Sequence, residues 1–138
     1  MDKRKSIKVL VSVIGLDGHS TGAEVVSKML MDAGMEVVYL GIYQTPEMIV
    51  QAAIQEDVDV IGISSHASNY GQIMELLQLL KKHQLDDIQV VCGGTIPANQ
   101  VRELKKKGVS EIFLPQSTST DIVDYLVSHG KRSQRLAS

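Results

Sequence analysis

The sequence predicts an α/β fold: a five-stranded parallel sheet with helices on both faces. Three observations predict it. Short apolar, β-branched runs alternate with amphipathic stretches, five times in succession. The first run, Ile7 to Ile14, is apolar but for Lys8 and Ser12, as suits a strand covered on both faces. The polar and glycine residues gather just after the runs, where strand-to-helix loops fall.

Each element follows from its residues. Ile7 to Ile14 is the first strand. Gly22 to Ala33 is a helix with Val25, Val26, Met29, Leu30 and Ala33 inward, stopped by Gly34. Glu36 to Gly41 is the second strand. Thr45 caps the next helix and Pro46 suits its first turn; it runs to Glu56. Val58 to Ile63 is the third strand. Gly71 to His83 is a helix that turns Ile73, Leu76, Leu77 and Leu80 inward. Ile88 to Cys92 is the fourth strand, and Pro97 opens a helix ending near Gly108. Glu111 to Leu114 is a short fifth strand. Ser119 to Ser128 is the last helix, with Ile122, Val123 and Leu126 inward.

At 138 residues the chain favours the flavodoxin-like strand order over a six-stranded Rossmann fold. One domain is expected over residues 1–130, with a disordered tail over 131–138. The net charge of -2 excludes bulk attraction to nucleic acid. Lys105, Lys106 and Lys107 read as a solvated helix face. No apolar stretch is long enough to span a membrane. The single cysteine, Cys92, excludes a disulfide within the chain and fits a cytoplasmic setting. It reads as a small buried hydrophobe, and the methionines as core filler. His83 and His129 suit helix ends.

Ligands of such sheets bind beyond the carboxyl ends of the strands, at the switch point between the first and third. Asp17, Gly18, His19, Ser20, Thr21 and Gly22 follow the first strand. Ser64, Ser65 and His66 follow the third, and Gly93 and Gly94 the fourth. Pro115, Gln116 and Ser117 follow the fifth. A metal-bound histidine usually donates its other ring N–H to a carboxylate or carbonyl, which fixes its tautomer. Asp17, two residues before His19, can be that acceptor. It can equally cap the following helix, with His19 merely exposed. Gly93-Gly94 fits close backbone approach to a ligand, or an ordinary tight turn. Ser64 and Ser65 fit ligand contacts, or capping of the next turn.

The segment Asp17-Gly18-His19-Ser20-Thr21-Gly22 resembles the D-x-H-x-x-G signature of the cobalamin-binding domains of adenosylcobalamin-dependent mutases. Gln44-Thr45-Pro46-Glu47 is similar to that family's segment before the second helix. Gly62-Ile63-Ser64-Ser65 resembles its serine loop, and Cys92-Gly93-Gly94-Thr95-Ile96-Pro97 its double-glycine loop. The resemblance runs from Lys8 to about Leu126 and is nearest to methylmalonyl-CoA mutase and the small subunits of related acyl-CoA mutases. It implies adenosylcobalamin as cofactor and His19 as the cobalt ligand, replacing the cofactor's own lower base. It implies a groove for the displaced nucleotide tail, with Ser64 on the displaced base. It also implies a carbon-skeleton isomerase subunit, inactive alone. A substrate barrel needs about 250 residues, so a separate large subunit must hold the substrate. Whether the chain also pairs with itself is open.

Three departures stand out. The acyl-CoA mutases usually carry a lysine four residues before the motif aspartate; here it is Val13. Their serine loop reads Ser-x-Leu; here it is Ser64-Ser65-His66. Leu114-Pro115-Gln116-Ser117 replaces a glycine-containing loop.

Two other functions compete. A non-catalytic corrinoid carrier, chaperone or sensor would use the same loops, although methyl-transfer carriers generally have a helical cap before the motif. A flavodoxin-like flavin protein would want aromatic flanks, and the chain is 4% aromatic with no Trp. A phosphoacceptor receiver would want an aspartate where Ser64 stands.

Overall fold

Residues two apart in a strand share a face, and the first strand sorts its side chains that way. The computed structural model describes residues 7–15, 20–65 and 70–131. In β1 (Lys8–Ile14), Val9, Val11 and Val13 enter one core while Leu10 and Ile14 enter another. Both sets are almost fully buried. The largely apolar run therefore has the cause read from the sequence: two cores lie against one strand.

The remaining elements alternate as expected: α1 (Thr21–Asp32), β2 (Glu36–Gln44), α2 (Pro46–Glu56), β3 (Val60–Ser64), α3 (Tyr70–Lys82), β4 (Gln89–Gly93), α4 (Ala98–Lys107), β5 (Glu111–Phe113) and α5 (Ser119–His129). The strands lie in the order β2-β1-β3-β4-β5, and every neighbouring pair is parallel. This is the flavodoxin-like order, with its switch point between β1 and β3. Of the proposed tail, residues 132–138 lie outside the described residues.

Local chemistry sets the helix ends. Thr45 caps α2: its hydroxyl accepts from the Met48 N–H at 3.2 Å, and the Met48 sulfur accepts from the Thr45 N–H at 3.4 Å. Thr118 and Asp121 make the same reciprocal pair at α5. Ser20 takes the N-cap position of α1, but its side chain does not cap.

Helices α2, α3 and α4 cover one face of the sheet. Ile49, Val50, Ile73, Leu76, Leu80 and Leu104 meet Leu10, Ile61, Ile63, Val90 and Cys92 there. Helices α1 and α5 cover the other with Ala23, Leu30 and Leu126, against Val9, Val11, Val60 and Val91. Each fully buried aliphatic side chain contributes about 1.5–3 kcal/mol.

Three readings need correction. Strand β2 does not stop at Gly41. It runs on to Gln44 with two irregularities, because Val11 pairs with Tyr39, Ser12 with Gly41 and Ile14 with Gln44. Gly41 at φ +91 marks a bulge in the strand rather than its end. Tyr43 also has positive φ, +60, which costs a non-glycine residue about 1–2 kcal/mol. Val25 is not inward but 62% exposed. Met31 and Met48 are exposed as well, so methionine is not uniformly core filler here.

Candidate functional site

The carboxyl ends of the strands and the N-termini of the helices share one rim of the sheet, and a groove opens there. It lies between α1 and α5 and has a volume of about 370 Å³, within the usual range for a ligand site. Its floor is the sheet: Val9 and Val11 of β1, Gly62 and Ser64 of β3, Val91 and Gly93 of β4, and Phe113 of β5. One wall is α1, through Gly22, Ala23, Val25, Val26 and Leu30. The other is α5, through Ile122 and Leu126. Gly94, Leu114, Pro115 and Ser117 border it from the loops.

The groove exists because side chains are missing from its floor. On this face β3 presents Val60, then Gly62, then Ser64, so the strand has no side chain at its middle position. The nearest atoms to a Cβ on Gly62 would be the Leu10 carbonyl oxygen and a Val91 methyl, both at 3.8 Å, and a Val11 methyl at 4.0 Å. These are ordinary contacts, so the backbone does not require glycine there. Phe113 packs edge-on against Tyr125, with ring centres 5.7 Å apart, and Tyr125 stacks on His129. The later turns of α5 are thereby held to the sheet, and its early turns, with Ile122, wall the groove.

The lining is mostly apolar, and Ser64 and Ser117 supply its hydroxyl side chains. Ser64 pairs in register with Val13 on one side and Gly93 on the other. Ser65 is fully buried just beyond, its N–H donating to the Gly93 carbonyl at 2.9 Å. The Gly94 N–H donates to the Phe113 carbonyl at 3.2 Å, and Gly94 itself sits at φ +126. A side chain is strained at that φ, so the turn itself calls for glycine here.

Of the residues proposed from sequence, Gly22, Ser64, Gly93, Gly94, Pro115 and Ser117 line the groove. Ser20 and Thr21 stand at the start of α1 and Ser65 behind the rim, and none of the three lines it. Asp17, Gly18, His19 and His66 lie outside the described residues. The first loop is anchored at both ends, however. Gly15, at φ +76, donates its N–H to the Gln44 carbonyl at 2.8 Å, and Ser20 leads into α1. Val13, where the mutases usually carry lysine, is fully buried in the α1/α5 core.

Sequence reasoning missed Gly62, Val25, Val26, Phe113 and Ile122. For Gly62 there was a signal: an isolated glycine inside a strand often marks a close approach. For Val25 there was none, because an apolar residue at helical spacing reads as core.

Cys92 also borders the groove, but its side chain packs in the opposite core. Burial pushes its thiol from the ordinary 9.0 up to about 12. The sign follows. Below pH 9.0 both folded and unfolded thiols keep their protons. Above it the unfolded chain loses its proton first, so the folded state is progressively disfavoured up to about pH 12. In urea unfolding above about pH 9, wild type is expected to lose stability relative to Cys92→Ala. The loss should be about 1.4 kcal/mol per pH unit.

Comparison with known proteins identifies the family. The family described as the B12 binding domain matches residues 7–123. The chain is 39% identical over 130 residues to the pivalyl-CoA mutase small subunit of Xanthobacter autotrophicus, covering 94% of this chain and 88% of that one. It is 39% identical over 123 residues to the 2-hydroxyisobutanoyl-CoA mutase small subunit of Aquincola tertiaricarbonis, covering 88% and 90%. Its fold matches that of a cobalamin-binding protein from Desulfitobacterium hafniense, with a TM-score of 0.74 at 22% identity. That match covers 86% of this chain and 57% of the other. With a family match across most of its length, and relatives that it covers almost end to end, the chain belongs to the B12-binding domain family.

Proposed function

We propose that this chain is the cobalamin-carrying small subunit of an adenosylcobalamin-dependent acyl-CoA mutase, working in the cytosol as one cofactor-binding unit over residues 1–130. The observation that carries the reading is the groove. It is apolar, floored by Gly62, and open at the rim where the Asp17–Gly22 loop is anchored. A flat, largely apolar lower base with a nucleotide tail fits such a lining.

When bound, adenosylcobalamin supplies a cobalt–carbon bond that breaks homolytically. The chain's own residues bind and orient. His19 would ligate cobalt in place of the lower base, with Asp17 accepting the proton of its other ring nitrogen. Gly18, Ser20, Thr21 and Gly22 would carry the chain around the tail into α1. Ser64 and Ser117 would offer hydroxyls to the displaced base and tail, with Ser65 and His66 beside them. Gly93, Gly94 and Pro115 would admit the tail against the backbone. With Val13 in place of lysine, an Asp17–His19 pair would lack the cation that the resemblance leads one to expect at that position.

The large subunit holds the acyl-CoA. The test is reconstitution. The purified chain should take up hydroxocobalamin with a changed spectrum, and isomerise no acyl-CoA alone. Loaded with adenosylcobalamin and mixed with a mutase large subunit, it should support isomerisation. Cobalamin uptake without isomerisation beside any mutase large subunit would leave a carrier and remove the mutase reading.

A further inference from the structure

The corner between β2 and α2 is built at a cost that the fold itself does not need. Tyr43 is 58% exposed, yet it holds a positive φ of 60. Glycine would adopt that backbone without strain. Five residues on, Met48 is 50% exposed in the first turn of α2. Both lie at the carboxyl end of the sheet, beside its β2 edge. The patch continues towards the groove: the Glu24 charge reaches the part-exposed Tyr39 hydroxyl and helps raise its pKa, after desolvation. Next to Glu24, Val25 lines the groove itself.

Among the described residues, the charge in the first turns of the helices has one sign. The first turns of α1, α2 and α5 carry Glu24, Glu47 and Asp121. The lysines of α3 and α4 sit in the last turns, at the far end: Lys81, Lys82 and Lys105 to Lys107. Glu47 also shares a hydrogen bond with Glu75 across α2 and α3, and that bond raises the Glu75 carboxyl. Among the described residues, neither carboxylate has a basic partner.

We infer that the Tyr43–Met48 corner, continued by Glu24 and Val25, seats the mutase large subunit, with Tyr43 as the anchor. The inference rests on reading the chain as a small subunit. Exposed tyrosine and methionine in an acid-rimmed patch call for a partner face with an apolar pocket ringed by lysine or arginine. The relatives that this chain covers almost end to end are themselves small subunits, so that face belongs to another chain. The strain at Tyr43 holds the ring presented before the partner arrives.

The experiment titrates cobalamin-loaded chain with a large subunit that supports isomerisation beside wild type. Tyr43→Gly removes the ring and relieves the backbone. It should leave the thermal midpoint within a few degrees and cobalamin affinity within about twofold. Affinity for the large subunit should fall about tenfold or more. Glu47→Lys should weaken the same complex, and added salt should weaken the wild-type one. If Tyr43→Gly and Glu47→Lys both bind the large subunit as wild type does, the docking surface lies elsewhere. If loaded wild type binds no mutase large subunit at all, the small-subunit reading falls, and the docking inference with it.

Discussion

Gly62→Val is expected to weaken cobalamin binding about 10–100-fold while leaving the chain as stable as wild type. The two effects separate because Gly62 is constrained by what must fit beside it, not by its backbone. A Cβ there reaches its nearest protein atoms at 3.8 Å, so the sheet accepts it. Valine also suits a strand better than glycine does. Its two methyl groups, however, would stand in the groove over the middle of β3. Overpacking a fitted site costs about 1–3 kcal/mol, or about 5–150-fold in affinity, which brackets the stated range. Gly62→Ala should lie between the two, because one methyl makes only ordinary contacts. Urea unfolding of the ligand-free proteins and spectroscopic titration with hydroxocobalamin measure the two effects apart. A Gly62→Val protein that unfolds early, or that binds as wild type does, would show that the groove is not where the tail sits.

His19→Ala is expected to remove the one protein nitrogen from the cobalt and to abolish most of the isomerisation. The Co(II) form, with nitrogen-15 in histidine, reports this by paramagnetic resonance: wild type shows one labelled nitrogen and His19→Ala none. Asp17→Ala should keep the nitrogen but weaken binding or activity about 10–100-fold, as loss of an orienting carboxylate usually does. A wild-type spectrum insensitive to the label would end the histidine-ligation proposal and leave the groove assignment standing. The difference between Asp17→Ala and wild type is informative for a second reason. Val13 is buried where the mutases usually carry lysine, so in the proposed site Asp17 would act without that third member.

How much of this could be read from the sequence depended on what set each feature. The fold was legible because periodicity and capping are local. Thr45 and Pro46 start α2 as their chemistry requires, and the run from Ile7 to Ile14 is buried on both sides. Strand β2 was cut short at Gly41 because a glycine looks the same in a terminus and in a bulge. Only the pairing with β1, a non-local fact, distinguishes them. Val25 was assigned to the core because helical spacing shows which face is apolar, not what lies opposite. What lies opposite is the groove, made by the absence of a side chain on another strand. The rim loops were legible as glycine and serine clusters at strand ends. The floor was only hinted at: Gly62 stands out as a glycine inside a strand, but what it leaves open shows only beside Val11 and Val91.

The sheet is finished on one side only. Under α2, α3 and α4 the core is continuous; under α1 and α5 it is interrupted by the groove. A molecule that fills the gap takes the place of core, so its binding energy also becomes folding energy for the two helices around it. At a free cofactor concentration about 100 times Kd that amounts to about 2.7 kcal/mol, a large share of the stability of an ordinary domain. The empty chain is then the form whose α1 opens locally and meets proteases first. Vitamin supply would thus set not only how much of this subunit is loaded, but how much of it persists in the cell.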